Sequence, residues 1–62
     1  MTAREACLWK AQAEVRRGLK WAIKAGERAW EPKARERARM AENHARYVLK
    51  SLRNAIADEV NR

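Results

Sequence analysis

One cysteine, one proline, two glycines and no phenylalanine occur in this chain of 62 residues, and each scarcity excludes something. A single cysteine, Cys7, cannot close an internal disulfide, so the chain is not a small secreted domain stapled by paired cysteines. The opening Met1-Thr2-Ala3-Arg4-Glu5 lacks the charged-then-apolar order of a leader, and with the lone cysteine this predicts a cytoplasmic protein. No apolar run approaches the roughly 18 to 20 residues that cross a bilayer, so no membrane association is expected. Few glycines and prolines mean few interruptions, and strand-like alternation is absent.

The chemistry of catalysis is also missing. There is no glycine-rich phosphate loop, no nucleophile with a base and an orienting group, and no carboxylate pair on one inward face. Two helices offer no enclosed pocket for a small-molecule substrate. His44 has no His, Cys, Asp or Glu three or four residues away with which to share a metal. The sequence therefore predicts no enzyme, no metal and no cofactor. Cys7, at the border of the apolar face, reads as a small buried apolar residue.

What remains is Ala, Arg, Glu, Lys and Leu, a composition of long helices. Thr2 followed by Glu5 predicts a capping box, with the hydroxyl accepting an amide and the carboxylate reaching back to the cap amide. Helix 1 is expected over about 3–26. Gly26 suits a left-handed helix end, although a helix continuing to Ala29 is also compatible with it, and Pro32 suits the first turn of the next helix. The turn then falls at about 26–31 and helix 2 at about 32–60.

At about 100° per residue, Leu8, Ala11, Val15, Leu19, Ala22 and Ile23 share one face of helix 1, with Trp9 and Trp30 at its border as structural residues. On helix 2, Ala34, Ala38, Ala41, Ala45, Val48, Leu52 and Ala55 repeat in alternating steps of four and three, the pattern of a helix-packing seam, widened by Leu49, Ile56 and Val60. A short turn makes the helices antiparallel. The early Ala run then faces Leu19, Ile23 and Trp30, and Val48, Leu52, Ile56 and Val60 face the Leu8 to Val15 region. The fold class is an all-α antiparallel helical hairpin. A chain this short buries only about 60% of its unfolded surface, and both apolar stripes are wide, so the hairpin is expected to dimerise into a four-helix bundle.

The formal charge is +7, from 15 Lys and Arg against 8 Asp and Glu. Residues 1–31 hold 7 bases and 4 acids and residues 32–62 hold 8 and 4, so the charge belongs to both helices rather than to a tail. Such a balance points to polyanions or acidic protein surfaces. On helix 2, Arg35, Arg39, Arg46, Lys50 and Arg53 form a ridge with Glu42 as the only acid in line, flanked by Asn43, Tyr47 and Asn54. Guanidinium groups grip phosphates bidentately, amides reach sugars and base edges, and a ring stacks on bases. On helix 1, Trp21 lies opposite the apolar stripe beside Lys10, Arg17, Lys24 and Arg28. It is placed to stack on a base, to anchor a protein contact or to lie under Arg17 or Arg28.

The length, the Met1-Thr2 opening with Glu5, the seam from Ala34 to Ala55, and His44-Ala45 and Ser51 resemble the Rop family of plasmid RNA-regulatory proteins. The resemblance implies a dimer of helical hairpins that binds paired RNA loops through helix 1. At the positions that carry this binding, Lys10 fits, whereas Ala3, Glu14, Gly18 and Ala25 depart from the family's basic, amide and aromatic residues. The sequence thus predicts a homodimeric nucleic-acid-binding bundle, for RNA rather than DNA. The alternative is a protein-interaction or structural self-assembling bundle, natural or engineered.

Overall fold

In a computed structural model that describes residues 1–62, the chain forms two helices, α1 (Ala3–Arg28) and α2 (Pro32–Val60), and no strand. They pack along each other as a hairpin of 47 × 14 × 11 Å. The long dimension is that of α2 itself, whose 29 residues at about 1.5 Å each span about 43 Å.

The start of α1 follows from Thr2. Its backbone is extended, and its hydroxyl accepts the Glu5 amide at 3.0 Å, satisfying one of the helix's unpaired donors. The reciprocal bond from the Thr2 amide to the Glu5 carboxylate is not formed; only half of the expected box exists. At the other end, α1 runs through Gly26 to Arg28, and no glycine takes a positive φ. Gly26 is therefore a helical residue rather than the left-handed stop. The chain leaves the helix at Ala29, whose amide still donates to the Ala25 carbonyl at 3.0 Å. Glu31 is extended, as a residue before proline must be, and Pro32 opens α2 in the first turn. Glu31 supplies no side-chain cap. Instead the Arg35 Nε donates to the Ala29 carbonyl at 2.6 Å, tying α2 back over the turn.

Only three residues are buried: Leu49 at 6% exposed, Ile56 at 7% and Gln12 at 4%. Around them Leu8, Val15, Leu19, Ala22 and Ile23 of α1 and Ala38, Ala45, Val48, Leu52 and Ala55 of α2 are half-buried. The intrachain seam of α2 is thus the rows 42/49/56 and 38/45/52/59. The row Ala34, Ala41, Val48 and Ala55 stands beside it, and Ala41 is exposed. Three adjacent seven-residue rows of α2 carry its apolar and small residues, interrupted by Glu42 and Glu59, and the third is half-buried at Ala34, Val48 and Ala55 but open at Ala41. The larger Leu49 and Ile56 take the centre because they remove the most apolar area from water.

Other expectations of burial also fail. Trp30 is 86% exposed because the chain at the turn projects it past the end of α1. Trp9 and Val60 are exposed, as is Cys7, all lying outside the width that a single facing helix shields. The free end of the hairpin is closed by charge. The Glu59 carboxylate lies 3.6 Å from the Arg4 Nε and 3.7 Å from an Arg62 Nη. No helix is long and apolar enough to cross a membrane.

Candidate nucleic-acid interface

A hairpin has two broad sides, and the register of each helix decides what each side carries. On one side, a groove near the turn is lined by Ala22, Ile23, Gly26 and Glu27 of α1 and by Arg35, Arg39 and Glu42 of α2. A second depression on α1 shares Ile23 and Glu27 and adds Arg16, Leu19, Lys20 and Lys24. Because the two depressions share residues, Arg16 and Lys20 belong to the same side as Arg35 and Arg39. Residues seven apart on a helix stay in line, so Arg46 and Arg53 continue the row that Arg39 begins, and Trp9 precedes Arg16 and Ile23 on α1. The outcome is one basic side carried by both helices.

Its electrostatics are not uniform. Glu42 lies 3.7 Å from the Arg46 Nε and sits in the groove with Arg35 and Arg39, while Glu27 faces them from α1. Arg35 spends its Nε on the turn, leaving the other donors of its fork facing outward. The turn end is therefore nearly balanced, two guanidiniums against two carboxylates. Further along, Arg16, Lys20, Lys50 and Arg53 are exposed and no carboxylate lies within salt-bridge distance of them.

The residues singled out in the sequence divide accordingly. Arg39, Arg46 and Arg53 form the row next to the groove, and Lys50 and Asn43 lie slightly further round α2. Tyr47, 70% exposed, turns still further onto the outer surface. Lys10, Arg17 and Trp21 occupy the outer surface of α1, roughly opposite Tyr47 across the width of the hairpin. A single flat polyanion does not reach Trp21 and Tyr47 together. The Lys24 ammonium sits 5.5 Å from the Trp21 ring centroid, so Lys24, rather than Arg17 or Arg28, is its cation–π partner. Sequence reasoning misses Arg16 and Lys20 as members of the site and treats Trp9 as structural, although Trp9 is the ring on the basic side. Its seven-residue spacing to Arg16 is the signal that could have found it.

No three of the His, Cys, Asp and Glu side chains gather closely enough to hold a metal ion. Compared with known protein families, curated proteins and solved structures, the chain matches none.

Proposed function

We propose that the chain acts as a homodimeric, non-catalytic helical bundle that binds nucleic acid, RNA in preference to DNA, through the basic side shared by α1 and α2. The single observation that carries this reading is the convergence of Arg16 and Lys20 with Arg39, Arg46 and Arg53 on one side. A solubilising surface intersperses its signs, whereas here the acids Glu27 and Glu42 collect at the turn end and leave the rest of the side positive. Guanidinium and ammonium groups in two rows suit a phosphate backbone, and an exposed Trp9 beside them suits the unstacked bases of RNA loops.

The test is a titration of the protein against a stem–loop RNA and a DNA duplex across salt concentrations. Counterion release requires the logarithm of the binding constant to fall linearly with the logarithm of salt concentration, and binding to the stem–loop should be the tighter. Absence of affinity for either polymer at low salt overturns the proposal and leaves the protein-interaction bundle as the better reading.

A further inference from the structure

We infer that the side of the hairpin opposite the basic one is the surface on which a second copy docks, with Gly18 as the point of closest helix approach. This rests on the homodimeric reading above and deepens it by naming the face. On α1 the row is Ala11, Gly18 and Ala25, and on α2 it is Ala34, Ala41, Val48 and Ala55. Both rows flank the seam on the side where Arg4 meets Glu59.

Of three observations, area gives the size of the occupant, and Gly18 and the charge distribution bear on the face. The chain exposes 5238 Å², whereas a compact protein of 7.2 kDa exposes about 4,100 Å². The excess of about 1,100 Å² exceeds the roughly 800 Å² that each partner contributes to a standard stable interface. A second hairpin is an occupant of the right size.

The second observation is Gly18. It lies in the middle of a 26-residue helix, where glycine lowers the folding constant about fivefold relative to alanine. Nothing within the chain requires it: its φ is not positive and a Cβ built there meets no atom within 4 Å. A glycine whose cost has no return inside the chain is explained when another backbone passes over it. Flanked by Ala11 and Ala25, it lets a facing helix approach to the lower end of the roughly 8 to 10 Å range of helix pairs.

The third is charge. The rows of Arg16, Lys20, Arg39, Arg46 and Arg53 lie on the far side, so two copies joined through the small-residue faces present those rows outward and leave Arg37, one turn from Ala34 and Ala41, as the base beside the contact. Docking through the basic sides would set Arg39, Arg46 and Arg53 against their own copies.

The experiment is sedimentation of the full chain and three variants, each checked for helicity by circular dichroism. Gly18→Leu and Ala41→Leu place bulk on the small-residue face at exposed positions, and Ala57→Leu places the same bulk on the outer surface of α2. The parent and Ala57→Leu should sediment as dimers, while Gly18→Leu and Ala41→Leu should stay helical and weaken dimerisation at least tenfold. Gly18→Ala is the finer arm. On a solvent-facing helix it should raise the folding constant about fivefold, whereas against a partner backbone the dimer should gain nothing or weaken. A parent that is monomeric overturns the homodimeric reading itself. A dimeric parent whose dimerisation is untouched by Gly18→Leu and Ala41→Leu overturns only the assigned face.

Discussion

Gln12 shows at the scale of one residue what periodicity hides. It occupies the seam among Leu8, Val15 and Leu19 and is the least exposed residue of the chain at 4%, yet its side chain makes no hydrogen bond within the hairpin. No side-chain nitrogen or oxygen is sealed from solvent without a partner, so its amide keeps contact with water at the seam's edge and its burial costs little. A polar glutamine between Ala11 and Ala13 reads as surface in a sequence, and only the position of the facing helix shows otherwise. The expected outcome for Gln12→Leu is a stabilisation of about 1 kcal/mol, since Leu adds apolar burial of similar volume with no bond to lose. For a domain of this size that is a rise in Tm of roughly 4 to 8 °C. A fall in Tm would show that the amide contributes a bond that Leu cannot replace.

At the scale of the helix, existence and direction are legible in the sequence, while the choice of face is not. Thr2 and Pro32 mark where α1 and α2 begin because each answers a local need, an unpaired amide for the hydroxyl and a helix start for the ring. The apolar rows of α2 answer a distant need. Ala34/Ala41/Val48/Ala55 and Leu49/Ile56 both fit a helical stripe, and which of them meets α1 depends on the competition for area within the hairpin. Hence Ala41 fits the seam by periodicity and is exposed, and Trp9 fits a packing border and stands beside the basic row. The Arg ridge divides in a similar way. Arg35 is spent on the Ala29 carbonyl, so it is a poor target, whereas Arg39, Arg46 and Arg53 form a single line. Replacing those three with Gln leaves helix propensity nearly unchanged, and the hairpin should keep its helicity. The salt slope of RNA binding should flatten by about two to three units, roughly one for each phosphate that is no longer neutralised. An unchanged slope would assign phosphate binding to other cations.

For the whole molecule, assembly and charge act in opposite senses, and salt separates them. Folding brings 15 bases and 8 acids onto a narrow rod, and self-repulsion opposes the compact state. Added salt screens exposed charges beyond about 10 Å at 0.1 M, so moderate salt should stabilise the protein while it weakens binding to a polyanion. The proposed dimer adds a second signature, dependence on concentration, because dissociation and unfolding are then one equilibrium. Unfolding near 60 °C absorbs about 0.7 kcal/mol per residue, and two chains of 62 residues give about 87 kcal/mol for the pair on that figure. For a dimer that dissociates as it unfolds, an enthalpy of this size corresponds to a drop in Tm of about 6 °C for each tenfold dilution. Thermal melts followed by circular dichroism over two decades of protein concentration measure this directly. The expected result is a steady displacement of about that size at every salt concentration, with the whole family of curves moved upward as salt rises. A Tm independent of concentration would mean that the hairpin stands alone on Leu49, Ile56 and their half-buried neighbours, and that the row of Ala34, Ala41 and Val48 has no partner of its own kind.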